Sequence, residues 1–194
     1  MRKLATITFL TLDGVMQGPG SPEEDPSDSF ERGGWAAEYW EETMPQVMRE
    51  AMSEPYDIVF GRKTYDIFAS HWPQVSDDNP VAAILNNARK YVVTSAPDTL
   101  NWNNSAGLSG DVQQEILKLK KQEGPLLQIH GSGQLIKTLL QHNLVDELRL
   151  WIFPVTVGNG KRLFNENMPS SHFNLIKTEA NPNGVIMSVY QTKK

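Results

Sequence analysis

Cysteine is absent from the 194 residues, which excludes disulfides, thiolate metal ligands and cysteine nucleophiles. Long apolar runs are missing too, and nothing approaches the roughly 20 residues of a membrane-spanning helix. The stretch from Met1-Arg2-Lys3-Leu4 to Leu12 has a basic tip and an apolar body. Thr6, Thr8 and Thr11 interrupt it, and it ends at Asp13-Gly14 without a small-residue cleavage site, so it reads as a first strand rather than a signal peptide. A cytoplasmic location is the expectation. No basic stripe is present, and the net charge of −5 argues against nucleic acid or a membrane surface as partner. The histidines at 71, 130, 142 and 172 lack metal-ligand spacing, and the chain contains no nucleophile elbow, Walker A loop or zincin motif.

What is present is an ordinary globular composition, 39% hydrophobic and 21% charged, at a length that suits one domain over residues 1–194. Strand and helix signals alternate. The spacing predicts strands at Leu4–Leu10, Tyr56–Phe60, Lys90–Thr94 and Leu126–His130, with a further short strand at Leu100–Trp102. Helices are expected at Glu38–Ser53, Lys63–Ser70, Pro80–Asn86, Ser109–Gln122 and Gly133–Gln141. The ending changes character: Glu147–Phe153, Phe173–Glu179 and Val185–Gln191 read as strands, the last two joined by the hairpin signal Asn181-Pro182-Asn183-Gly184. The sum is an α/β three-layer fold with a mostly parallel central sheet, helices on both faces and a C-terminal antiparallel hairpin. Met16–Gly34 is rich in Gly, Pro, Ser and acid with no apolar period, and loops of that length are often lids or binding loops.

Two glycine-broken junctions carry the chemistry. Ile58-Val59-Phe60-Gly61-Arg62-Lys63-Thr64-Tyr65 and Leu127-Gln128-Ile129-His130-Gly131-Ser132-Gly133-Gln134-Leu135 each run from an apolar strand through glycine into a helix. A helix start leaves N–H groups unpaired and partly positive, which suits phosphate. Gly131-Ser132-Gly133 fails the Rossmann fingerprint, since Ile136 holds the third glycine position. A phosphate cradle and a simple sharp turn both remain open there. Arg62 and Lys63 work against the helix dipole by roughly 0.3–1 kcal/mol, a local inconsistency that reads either as a site for a nucleotide with a 2′-phosphate, the favoured meaning, or as side chains pointing into solvent. Thr94-Ser95 ends a third strand at the same level, and Asp13-Gly14 closes the first, with either a proton-relaying carboxylate or an Asx turn as its meaning. Gly33-Gly34-Trp35 reads either as cover for a planar ligand or as a core anchor.

In that order the motifs resemble a known superfamily. Thr11-Leu12-Asp13-Gly14 is similar to the S-L-D-G of the riboflavin-biosynthesis reductase domain, and Gly61-Arg62-Lys63-Thr64-Tyr65 to the G-R-x-T-[WY] of dihydrofolate reductases. Gly131-Ser132-Gly133-Gln134-Leu135, Leu144-Val145-Asp146-Glu147-Leu148, Pro154 and Gly158-Asn159-Gly160-Lys161-Arg162-Leu163-Phe164 resemble G-[GS]-x-x-L…L-V-D-E-L…P…L-G-x-G-x-x-L-F. The resemblance spans nearly the whole chain. It implies a dihydrofolate reductase-like fold that binds NADPH and reduces a C=N or C=O group of a pteridine- or pyrimidine-like heterocycle. Carried over by position, it implies Arg62, Lys63 and Thr64 at the 2′-phosphate and pyrophosphate, Gly61 beside them, and Thr94 and Ser95 along the adenosine half. Gly131, Ser132, Gly133, Gln134 and Leu135 would cradle the pyrophosphate, with Val15 near the nicotinamide, Asp13 delivering a proton and Trp35 in the substrate wall. It also implies a homodimer. The pterin-binding carboxylate of dihydrofolate reductases has no counterpart on the first helix, and a non-enzymatic nucleotide- or pterin-binding module on the same fold is the alternative.

Overall fold

The structure, a computed structural model, describes residues 1–164, 168 and 170–193. In chain order the elements are β1 (Leu4–Thr11), α1 (Trp40–Ala51), β2 (Tyr56–Gly61), α2 (Arg62–His71), α3 (Pro80–Asn87), β3 (Lys90–Val93) and β4 (Ser105–Leu108). Then follow α4 (Val112–Lys121), β5 (Leu126–His130), α5 (Gly133–Gln141), β6 (Glu147–Phe153), β7 (Phe173–Ala180) and β8 (Ile186–Thr192). The strands form one sheet in the order β4-β3-β2-β5-β1-β6-β8-β7. Neighbours from β4 to β6 are parallel, whereas β8 runs antiparallel to β6 and β7 to β8.

Parallel strands need helical crossovers, so both faces become covered and the strands read as continuous apolar runs. β1 and β5 are accordingly buried along almost their whole length. On one face Val47 and Ala51 of α1, Tyr65 of α2 and Leu85 of α3 pack on Ile7, Ile58, Phe60, Trp151 and Phe153. On the other, Ile116 and Leu119 of α4 and Leu135, Ile136, Leu139 and Leu140 of α5 pack on Leu4, Leu10, Val59 and Ile129. Full burial of each such side chain contributes about 1.5–3 kcal/mol. These are the three layers the alternating pattern predicts. Pro45 is inside α1 on its exposed side, where water can satisfy the carbonyl that lost its donor.

The connections position the site. β1 leads through α1 towards β2, while β5 leads through α5 on the opposite face to β6. The chain therefore diverges around the adjacent β1–β5 pair, and the crevice beyond their carboxyl ends is the switch point at which open α/β sheets take ligands.

Three details depart from the sequence pattern. Leu100–Trp102 is not a strand; the fourth strand is Ser105–Leu108, paired with β3 from Lys90 to Val93. The Trp102 N–H is taken by the Tyr65 hydroxyl at 2.8 Å, and its ring lies under the Lys90 ammonium, so tertiary contacts hold that segment out of the sheet. Gly107 gives β4 little strand propensity, but a Cβ there would stand 2.4 Å from Pro97, so only glycine lets the edge strand fit. The fourth helix starts at Val112, not Ser109, because Asp111 caps it by accepting from the Gln114 N–H at 3.1 Å. Finally, Met16–Gly34 is compact: Gly34 N–H donates to Gly18 O at 2.8 Å and Ala36 N–H to Pro19 O at 3.0 Å, which draws the loop ends together.

Candidate functional site

Both glycine junctions lie at the carboxyl edge of the sheet, and they touch. The Gly61 N–H, at the end of β2, donates to Ser132 Oγ, at the start of α5, at 2.9 Å. Gly131 and Ser132 both adopt left-handed backbone, with φ of 64° and 63°. For Ser132 this conformation costs roughly 1–2 kcal/mol, and the hydroxyl contact to β2 helps offset it. The turn leaves the N–H groups of Gly133, Gln134 and Leu135 without intrahelical acceptors. A Cβ on Gly133 would stand 2.8 Å from Met16 Sδ, so the loop that follows β1 passes directly over this helix start.

The charges at the other junction have partners the sequence did not show. Arg62 Nε reaches both Asp66 oxygens at 2.8 and 3.0 Å, and its Nη1 donates to Thr99 Oγ1 at 2.6 Å. Thr99 Oγ1 donates to Ala96 O, whose own N–H is held by Thr94 Oγ1 at 3.1 Å. Arg62 is thereby joined to the Thr94–Ser95 segment, with Ser95 exposed. Lys63 Nζ donates to Asp25 and Ser27 of the Met16–Gly34 loop, at 2.6 and 2.8 Å. Thr64 is half-buried, its methyl 3.8 Å from where a Cβ of Gly131 would stand. Gly61, Arg62, Lys63, Thr64, Thr94, Ser95 and Gly131–Leu135 therefore come to one edge of the sheet.

Asp13, Val15 and Trp35 have other surroundings. The Asp13 carboxylate accepts from Thr11 Oγ1 at 2.6 Å, Gly158 N–H at 2.8 Å and Val157 N–H at 3.3 Å, with Arg162 Nη2 at 3.5 Å. The Thr11 hydroxyl foremost, with those two backbone donors, outweighs burial and holds the carboxyl below its ordinary range. So engaged, the carboxylate anchors the 157–158 turn. Val15 is fully buried and bridges Arg162, its side chain beneath Gly160. Trp35 is 8% exposed, donates Nε1 to Gln17 O at 2.8 Å and sets its edge on Phe153, so it ties down the loop.

A second group escaped the sequence reading. Phe9 of β1 stacks edge-on against Trp40 of α1 at 5.1 Å and Phe153 at 5.7 Å, and Met44, Met48 and Phe68 are half-buried around the same core. Behind them His130 ends β5, stacked on Tyr56 at 5.5 Å, with Nε2 3.1 Å from Gln128 Oε1. Gln128 in turn donates to Ala51 O, which closes α1 onto the sheet. Burial pushes the His130 imidazole down to about 3, so it is neutral. The available signal was its place directly before Gly131; spacing rules for metals could not find it.

The layers, the switch-point crevice and the C-terminal hairpin define a dihydrofolate reductase-like α/β fold. The chain belongs to the RibD C-terminal domain family, which matches residues 2–187. It is 29% identical over 196 residues to the uncharacterized protein YyaP of Bacillus subtilis (strain 168), covering 97% of this chain and 94% of that protein. Among solved structures it resembles a candidate riboflavin biosynthesis protein from Shewanella sp. PV-4, with a TM-score of 0.65, 21% identity and 99% of each chain covered. Dihydrofolate reductase from Enterococcus faecalis, complexed with NADP(H) and RAB-propyl, gives 0.59 at 17% identity, over 99% of this chain and 97% of that one. A pyrimidine reductase-like protein from Corynebacterium diphtheriae gives 0.60 at 14%, over 100% of this chain and 92% of that one. At such identities the structural likeness is one of fold, and the fold is reductase-like.

Proposed function

We propose that this protein is an NADPH-dependent reductase acting on a C=N or C=O carbon of a pteridine- or pyrimidine-like heterocycle. The observation that carries the reading is the Gly61–Ser132 contact: it sets the two junctions side by side, with Arg62 at one end and the N–H groups of the α5 start at the other. The donor set fits a dinucleotide phosphate. Arg62, half-exposed and flanked by Thr99, suits the 2′-phosphate; Thr64, Ser132, Gly133, Gln134 and Leu135 suit the pyrophosphate; Thr94 and Ser95 border the adenosine. When bound, NADPH supplies the hydride.

The chain's own residues orient and enclose. Phe9, Trp40, Met44 and Phe68 give a flat ring an apolar margin beside β1 and β5, and neutral His130 closes its floor. Asp13 holds the 157–158 turn at the end of β1, beside the Val15–Arg162 bridge, where the notional nicotinamide end of the cofactor would lie. For self-association, exposed Leu175, Ile176 and Ile186 on the outer hairpin support a homodimer.

An Arg62→Ala variant should weaken NADPH about tenfold or more while changing NADH little, read by nicotinamide fluorescence titration. Equal losses for both would remove the 2′-phosphate role, and no NADPH binding by the native protein would end the cofactor reading. Binding without NADPH oxidation by any member of a heterocycle panel would favour a binding module.

A further inference from the structure

The Met16–Gly34 loop carries a carboxylate into the cofactor edge. Lys63 Nζ is 2.6 Å from one oxygen of Asp25 and Lys161 Nζ 2.9 Å from the other, so a single carboxylate is clasped by two ammonium groups. Ser27 Oγ donates to Asp25 at 2.5 Å and accepts from both lysines. Asp28 stands 3.6 Å from Lys161. Behind this knot buried Gln17 donates to the carbonyls of Asp25 and Ser27 at 3.0 and 2.9 Å and accepts from the Lys161 N–H at 3.0 Å. Burial alone would push Asp25 up, yet the hydrogen bonds from Lys63, Ser27 and Lys161 outweigh it and keep the carboxyl well below its ordinary range.

Three features make the knot more than a loop contact. Lys63 is the second residue of α2, two positions after the Gly61 that donates to Ser132, so the lysine held by Asp25 starts from the same helix turn as the proposed phosphate site. The loop also covers the other junction, through Met16 over Gly133. And Asp28 and Ser29, next to the knot, stand at φ of 59° and 56° without being glycine, so the latched loop is held in a locally unfavourable backbone. Lys63 and Lys161 cannot neutralise both a phosphate and Asp25 at contact distance without bringing like charges together.

Resting on the NADPH reading, we infer that Asp25 is a built-in competitor of the cofactor's phosphates: the Met16–Gly34 loop is latched on Lys63 and Lys161 in the free protein and is released when an anionic ligand takes the two lysines. The loop then acts as an autoinhibitory strap whose opening is driven by the cofactor. The free enzyme accordingly binds NADPH more weakly than its groove allows, by the fraction of molecules already open.

The test is hydrogen exchange over residues 24–30 together with NADPH titration, in the native protein and in Asp25→Asn. The latch predicts faster exchange in Asp25→Asn, faster exchange in the native protein on adding NADPH or inorganic pyrophosphate, and about tenfold tighter NADPH binding by the variant. Lys161→Gln, which opens one side of the clasp, should quicken exchange in the same segment and serves if Asp25→Asn does not fold. NADPH bound equally by both proteins, with exchange unchanged or slowed, would overturn the latch and leave the cofactor reading intact. Weaker NADPH binding by Asp25→Asn would also overturn it, making Asp25 a positioning residue. Exchange quickened by pyrophosphate in a protein that ignores NADPH would keep the latch and remove the cofactor reading.

Discussion

His130 shows how burial sets chemistry at the level of one side chain. Its imidazole is stacked on Tyr56 and shut behind Phe60 and Phe68, and it is held neutral down to a pH of about 3 against an ordinary value of 6.5. Between those values the unfolded chain binds the proton that the folded one refuses, so stability rises with pH across that window and falls as pH is lowered from 6.5. Thermal melts from pH 4 to 6.5 should therefore show a steep slope in the native protein and a shallower one in His130→Phe, whatever the variant's absolute stability. Equal slopes would mean the imidazole is wet. Asp13 and Asp25, both held below their ordinary range, contribute stability that is present above about pH 4 and lost below it, so the part of the His130 window above pH 4 stands clear of them. Arg62 and Lys63 illustrate the reverse limit of sequence reading. Their misfit with the helix dipole was visible, but Asp66, Thr99 and Asp25 as their partners were not, because two of the three come from elsewhere in the chain.

Among the elements, the junction between β2 and the start of α5 is the part on which the groove depends. A left-handed serine between two glycines is unfavourable locally, but the same backbone turn aims its Oγ at the end of β2, where it receives the Gly61 N–H at 2.9 Å. Ser132→Ala keeps the strain and orphans that N–H, at a cost of about 1–3 kcal/mol by urea denaturation. A loss much below that range would show that water replaces the hydroxyl without penalty. The strand-glycine-helix grammar of both junctions was legible in sequence, and the predicted bounds of β5, α5 and β6 coincide with those observed. Ser105–Leu108 was not legible. A short Ser-Ala-Gly-Leu run has neither alternation nor β-branching, and it becomes a strand only because β3 presents an open edge beside it.

For the molecule as a whole, the antiparallel hairpin leaves β7 at a sheet edge with Leu175 53%, Ile176 60% and Ile186 42% exposed. Edge strands with uncovered apolar side chains tend to associate. Sedimentation velocity should find a dimer for the native chain and a monomer for Ile176→Glu, with the proposed cofactor edge, at the carboxyl ends of the parallel strands, unaffected. A native monomer at every concentration would end the homodimer reading. No helix among the described residues is long and apolar enough to cross a membrane.

The sequence by itself determined which segments are strands and helices, and that two strand-to-helix turns need glycine, because burial pattern, capping and backbone freedom act over a few neighbouring residues. It also carried the order of motifs that marks the family. Only the tertiary structure decided that Gly61 meets Ser132, that Val15 and Trp35 are buried anchors, and that Asp13 is locked in a turn. It alone brought Asp25 between Lys63 and Lys161, the latter 136 positions away in the chain. Contacts at such separation arise from how the sheet is ordered and how a loop without periodicity falls across it, and no local preference encodes either.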